Sequence, residues 1–439
     1  MAKRATRESY GAALVDFGAD ERVVVMDADL SKSTKTEMFK KAYPERFFNA
    51  GIAEGNMMCV AAGLAASGKI AFASAVMVWM QTISDWGFNY TATRDVAQNR
   101  ENSMKVSEIF SNVLWARCFL VLVSFIFLLF LIVFFTPFRE NRDILLISFL
   151  MIPGHVLFPE WFFQAIERMK YITILNLVSK TFFTISIFVF IQEKEDYILQ
   201  PLFVSLGYVV SGIIAFYYIL VRLRIKLKSL KYNEVYMVIK NSTDVFINNL
   251  MPNLYNSFSV VLLGFIGGSV ANGKLDAGSK FVNVAQQFMQ VLSRVFFPFL
   301  SRKLENHKIY ARLNVICSLI ISVTLFLTAP FIIDFFFTDE FADTTIVLQM
   351  MSVSIFFLAL SNIYGTNYMI IAGYERELRN TTAVVSIVGL LLSFPLIIKF
   401  EYIGAALTIT LTRAFLGLSI MLRAKSIKFF NVDHINNIQ

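Results

Sequence analysis

The chain has 439 residues, of which 56% are hydrophobic and only 16% charged, with 45 phenylalanines and a mean hydropathy of +0.60. That composition excludes an ordinary soluble globular protein, because so much apolar surface must face lipid. The net charge of +8 resides largely in short loops between apolar runs, a pattern of membrane orientation rather than of nucleic-acid binding.

In chain order, the first 75 or so residues differ from the rest. They carry ten Lys/Arg and nine Asp/Glu, a density normal for a soluble domain. No apolar signal-peptide core follows the basic start MAKRATRESYG. The patterning predicts a helix over 7–17, a β run from Val23 to Met26, a helix over 35–42 and another over 57–66, which reads as part of an α/β layer. Cys59, Cys118 and Cys317 have no paired spacing, so neither a disulfide framework nor a thiolate metal site is expected.

Beyond Ser74 the chain becomes a series of apolar runs. Crossing about 30 Å of hydrocarbon needs roughly 17 to 25 such residues. Eleven stretches qualify, approximately 74–90, 114–135, 144–166, 171–191, 198–221, 245–266, 281–300, 313–337, 346–372, 382–400 and 402–422. The first, sixth and seventh are the least apolar; the sixth holds Asn248, Asn249, Pro252 and Asn253, and the seventh Gln286, Gln287 and Arg294. Such spans must face a protein interior or a watery cavity.

Basic residues sort the connections into two alternating sets. One holds about nineteen Lys/Arg, among them Arg94, Arg100, Arg168, Lys170, Arg302, Arg376 and Arg379; the other holds five, Arg139, Arg142, Lys194, Lys274 and Lys399. The first set, and with it the C-terminus, is expected in the cytoplasm. Eleven spans then place whatever precedes Ser74 on the outer side, where a charged, leaderless segment has no route. The conflict predicts that two unrelated coding pieces meet near Ser74 to Val78, with a first span missing or replaced.

The wording of the two pieces supports that division. ATRESYGAALVDFGADERVVVMDADLSKSTKT and YPERFFNAGIAEGNMMCVAAGLAASGKIAFAS resemble the pyrimidine-binding domain of transketolases, in the form found as a separate C-terminal subunit. The resemblance implies that Glu54, in GIAE, contacts the aminopyrimidine of thiamine diphosphate, and that the cofactor carries the carbon chemistry. Two departures weigh against activity. Gly55 replaces the family's usual glutamine, and the sequence already reads AVMVWM where stacking aromatic residues belong. The half that holds the diphosphate and Mg²⁺ is also absent, so a partner would have to complete the site. About 70 residues bury too little surface to fold reliably alone, and Glu54 is expected to be vestigial.

DWGFNYTATRDVAQNRE and ANGKLDAGSKFVNVAQQFMQVLSRVFFPFLSRK resemble Wzx-type polysaccharide flippases of the multidrug/oligosaccharidyl-lipid/polysaccharide exporter superfamily. The resemblance runs from the family's second helix to its end. It implies a mainly α, two-lobe fold of twelve helices, here about eleven, behind a short α/β fragment. The expected domains are 1–75, transketolase-like, and 76–439, flippase. The latter divides into the rest of the N-lobe (76–221), a C-lobe (240–422) and a cytoplasmic tail (423–439). The implied activity is translocation of an undecaprenyl-diphosphate-linked O-antigen repeat across the bacterial inner membrane. It implies alternating access driven by a proton or Na⁺ gradient, no cofactor, and a monomer acting among membrane lipids and other O-antigen assembly proteins.

Ionisable residues within spans mark the candidate path. Lys180, Arg294 and Arg413, with Arg117 at a span's start, are expected to contact diphosphate or glycan; Arg94, Arg117 and Lys280 sit near span ends, where a cation can also snorkel. Asp85 and Asp244 are candidates for ion coupling or for salt bridges with these cations. His155, close to Pro153 and Pro159, is a candidate for proton coupling or a helix-packing hydrogen bonder. Trp115 and Trp161 are expected in interface belts. Prolines in or beside spans suit a rocking transporter. No P-loop motif supports direct ATP use.

Three rival readings remain. A membrane-embedded glycan polymerase or glycosyltransferase needs a large loop bearing catalytic acids, and every loop here is short. A drug exporter of the same superfamily fits poorly with several intramembrane cations. A thiamine-dependent transketolase subunit requires a partner to supply the missing half.

Overall fold

The computed structural model describes residues 6–21, 23–27, 35–49, 75–140, 142–190, 199–337 and 341–436. At the front, α1 (Thr6–Phe17), β1 (Val25–Asp27), α2 (Glu37–Ala42) and β2 (Phe47–Asn49) follow in order, and the strands pair in parallel with Val25 opposite Phe47. Val25, Phe39 and Phe47 form their small core. Arg46 ties the piece together by donating to the carbonyls of Gly18 at 2.7 Å and Asp20 at 2.8 Å, with the Tyr43 ring centroid 4.4 Å away. The expected helix over 57–66, Cys59 and Glu54 lie outside the described residues.

The remainder is helical. The N-terminal lobe comprises α3 (Ala75–Asp85), α4 (Phe88–Gln98), α5 (Ser103–Phe134), α6 (Arg142–Phe149), α7 (Met151–Leu157), α8 (Glu160–Ala165), α9 (Lys170–Phe190) and α10 (Leu199–Tyr217). The C-terminal lobe comprises α11 (Tyr232–Leu250), α12 (Pro252–Arg302), α13 (His307–Phe336), α14 (Thr344–Leu360) and α15 (Glu375–Asn436). Seven described helical stretches are long and apolar enough to cross a membrane.

Local chemistry explains the element ends. The Asn102 side chain caps α5 by accepting from the Lys105 backbone N–H at 3.0 Å. The third predicted span is three short helices, with Pro153 in the first turn of α7 and Pro159 immediately ahead of α8, the positions where a missing N–H costs least. α12 breaks at Gly268 (φ 71°, ψ −166°) and α15 at Glu401 (φ 48°, ψ −124°). The arms of α15 run side by side, since a Cβ on Gly389 would lie 2.5 Å from the Thr412 side chain.

Packing is inverted relative to a water-soluble protein. On α5, Ser107, Ser111, Asn112, Arg117 and Ser124 are buried, while Phe119, Leu122, Ile126, Phe130 and Val133 are exposed. Leaving such side chains in water forgoes about 1.5–3 kcal/mol each, so lipid covers this face, and the polar groups find partners inside. Trp161 corrects one expectation. It is 2% exposed, packed against Phe110 and Phe162, and therefore belongs to the lobe core rather than to an interface belt.

Among the described residues, connections of the same loop set meet one another. Lys274 pairs with Asp343 at 3.1 Å and lies 5.2 Å from the Tyr402 ring centroid, bringing together three connections of the weakly basic set. At the strongly basic end the lobes meet. Arg94 pairs with Glu375 and donates to the Ile370 carbonyl at 2.6 Å, while Glu167 is held by Arg302 and, at 3.0 Å, by Arg100. Further in, Trp86 stacks on Phe246 at 4.1 Å and donates to Thr243 Oγ1 at 3.1 Å, and Thr91 bonds Ser242 at 2.7 Å.

Candidate functional site

A cavity of about 350 Å³ lies between the lobes next to these contacts. Gln81 and Asp85 of α3 and Asn89 and Tyr90 of α4 form one wall, with Arg117 of α5 and His155 of α7. Glu160, Trp161 and Gln164 of α8 complete the N-lobe side; Asn249 of α11 and Arg294 of α12 face them from the C-lobe. α3 and α4 join at a bend, Trp86 (φ 37°) and Gly87 (φ 80°), with cavity-lining residues on both sides of it.

Asp85 is the hub. Its carboxylate accepts from Arg117 Nη2 at 2.5 Å and lies 3.2 and 3.3 Å from His155 Nε2. The Arg117 side chain is 3% exposed, the Asp85 side chain 19%. A guanidinium buried this deeply is costly without a counter-charge, and Asp85 supplies one. Arg117 Nε and Trp161 Nε1 have no hydrogen-bond partner among the described residues, so each is a donor directed into the interior without an acceptor. Glu160 accepts from Asn176 Nδ2 at 2.9 Å. Gln164 spans the lobes by donating to the Arg294 carbonyl at 3.0 Å. Arg294 itself is exposed to the cavity and makes no ion pair among the described residues.

The structure thus brings Asp85, Arg117, His155 and Arg294 to one cavity. It does not bring the other candidates there. Lys180 lies on an exposed face of α9. Asp244 pairs with Arg379 inside the C-lobe. Arg413 is buried in the C-lobe with Nη1 donating to Ser354 Oγ at 3.0 Å, and it makes no ion pair among the described residues. Arg94 is engaged at the basic end, and Lys280 is half-buried in α12. Sequence reasoning missed Gln81, Asn89, Tyr90, Gln164 and the role of Glu160 as a lining residue. Part of the signal was present: Gln81 and Asp85 stand four residues apart, as do Glu160 and Gln164, the spacing of one helix face. Among the described residues no group of three or more His, Cys, Asp or Glu has metal-holding geometry.

Apolar-out helices in two lobes around a charged cavity define a multi-pass membrane protein. The comparisons then specify its kind. The profile of the family described as "Polysaccharide biosynthesis protein" matches residues 63–304, more than half of the chain, and the chain belongs to that family. It is 27% identical over 353 residues to an Escherichia coli (strain K12) protein described as an O-antigen transporter, covering 79% of this chain and 85% of the relative. A Shigella dysenteriae protein of the same description is 25% identical over 81% of this chain and 90% of its own length. The fold is that of a multidrug resistance MATE family transporter of the MOP superfamily solved in an outward-facing conformation, with a TM-score of 0.67 at 13% identity over 84% of this chain and 91% of that one.

The front piece has its own matches. The transketolase pyrimidine-binding domain profile covers residues 2–107. A transketolase C-terminal section of Methanocaldococcus jannaschii is 61% identical over 69 residues, which are 16% of this chain and 22% of that relative. The two profiles overlap between residues 63 and 107.

Proposed function

We propose that residues 76–439 form a flippase that moves an undecaprenyl-diphosphate-linked oligosaccharide, an O-antigen repeat, across a bacterial inner membrane by alternating access. The observation that carries this reading is Arg294, a cation exposed to the cavity between the lobes and paired with no carboxylate among the described residues. A diphosphate brings the missing negative charge, and a guanidinium binds phosphate in a bidentate geometry. A cationic drug would meet repulsion at the same point. The hydrophilic glycan fits a polar cavity while the polyprenyl chain remains in lipid.

Asp85, Arg117 and His155 are the proposed ion-coupling cluster, because a carboxylate shared by an arginine and an imidazole can exchange partners when a cation arrives. The basic ends of the lobes, and the C-terminus, are assigned to the cytoplasm by the charge asymmetry. Residues 1–75 are assigned to an inactive transketolase-like fragment that stands in place of a first span.

Complementation of a flippase-null strain tests the reading. The unmodified chain is expected to restore little O-antigen. Replacing residues 1–74 with the corresponding start of the E. coli relative should restore it, and Arg294→Gln in that repaired chain should lower it about tenfold. Silence of the repaired chain, with protein present in the membrane, rejects the flippase assignment; full rescue by the unmodified chain rejects the inactive-fragment assignment.

A further inference from the structure

A second and larger cleft, about 870 Å³, lies where the α8–α9 connection faces α12. Its N-lobe side is Glu167, Arg168, Lys170 and Tyr171, and its C-lobe side is Val295, Phe296 and Phe299, with Met169 also lining it. One half is charged and the other apolar, the division that a lipid phosphate carries.

The charge balance of the polar half is positive. Glu167, held at φ 59°, is neutralised twice over by Arg302 and Arg100. Arg168 donates to the Tyr218 hydroxyl at 3.0 Å, and Tyr218 donates to Tyr171 at 2.8 Å. The Lys170 ammonium lies 5.4 Å from the Tyr171 ring centroid. Neither Arg168 nor Lys170 has a carboxylate partner among the described residues, and both are exposed.

Above this basic floor, the exposed face of α12 is split lengthwise. Asn283, Gln287, Gln290 and Arg294 form a polar edge. Val284, Phe288, Val291 and Val295 form an apolar edge, each 46–64% exposed. At 3.6 residues per turn the two edges are about 100° apart. Arg294 lines the polar cavity and its neighbour Val295 lines the cleft, so one helix separates the cavity from the lipid side and presents the matching chemistry to each.

We infer that this cleft binds the phosphate-bearing head of a lipid, with Arg168 and Lys170 taking the phosphate, the apolar edge of α12 taking the first part of the chain, and the polar edge leading the head group into the cavity. The identity of the lipid as a polyprenyl diphosphate rests on the flippase reading; the existence of the cleft site does not. Its phosphate comes from a lipid rather than from free phosphate, because the wall opposite the cations is apolar.

Native mass spectrometry of the purified full-length protein, with undecaprenyl diphosphate as probe, tests this. Arg168→Gln/Lys170→Gln should weaken binding about tenfold. Arg168→Lys/Lys170→Arg, which keeps both charges, should retain most of it, and unchanged melting temperatures show that the fold is intact. Val291→Asn/Val295→Asn should also weaken binding, and inorganic pyrophosphate in large excess should not compete. Equal affinity of wild type and Arg168→Gln/Lys170→Gln overturns the site, as does binding of neither undecaprenyl diphosphate nor a second probe, phosphatidylglycerol. Displacement by inorganic pyrophosphate overturns its lipid character. If the wild type binds phosphatidylglycerol through Arg168 and Lys170 but not undecaprenyl diphosphate, the cleft stands and the flippase reading falls.

Discussion

At the scale of single residues, the candidate site is a cluster of charges whose members depend on one another. Asp85 is the one carboxylate paired with Arg117 among the described residues, and removing one partner of a buried pair costs more than removing both. Asp85→Ala should therefore destabilise the detergent-solubilised protein by about 3 kcal/mol, and adding Arg117→Leu should recover much of that loss. Thermal melts of the two variants decide it, and an unchanged Asp85→Ala melt would show that water satisfies Arg117. Asp85, Arg117, His155 and Arg294 were each legible in the sequence, since an ionisable group in an apolar span stands out. Their meeting was not legible. Arg117 and His155 reach Asp85 from 32 and 70 residues away along the chain, a proximity set by how three helices cross. Lys180 shows the converse: the same signal in the sequence, yet a side chain on an exposed face of α9.

At the scale of elements, hydropathy located the helices but not their limits. The segment 269–280, with Asn272, Lys274, Asp276 and Lys280, is helical, although the predicted span begins only at Phe281. An apolar window registers the part of a helix inside hydrocarbon, and backbone hydrogen bonds continue past that boundary. The break at Gly268 carries a different signal, a glycine pair, that hydropathy does not weigh. Its φ and ψ lie in a region open essentially to glycine alone, and a Cβ there would touch nothing within 4 Å. Gly268→Ala should accordingly cost roughly 1–3 kcal/mol through backbone strain, not crowding. Equal denaturation midpoints for wild type and variant would contradict this. The third span was legible as one apolar run, whereas its division into α6, α7 and α8 follows from backbone donors lost at proline.

At the scale of the whole molecule, the alternating charge of the connections was legible because loop composition is independent of side-chain packing, whereas the two lobes followed only from the resemblance to the flippase family. What the sequence could not show is that the lobes are joined at the basic end by Arg94 with Glu375 and by Arg302 with Glu167. Reversing one charge there should part the lobes. In a variant whose own cysteines are replaced by serine, Asn89→Cys should react about fivefold faster with a water-soluble maleimide supplied from the basic side once Arg94→Glu is added. Adding Glu375→Arg should return the rate to its starting value, and a rate indifferent to both charges would remove these ion pairs from any role in closure. Trp86 bears on the same separation in another way. Its indole is stacked on Phe246 and bonded to Thr243 across the lobe boundary. When the lobes part, the indole loses its aromatic neighbour and its acceptor and meets water, and its fluorescence shifts toward the red. If the proposed alternating access takes place, the unlabelled protein carries an optical gauge of it.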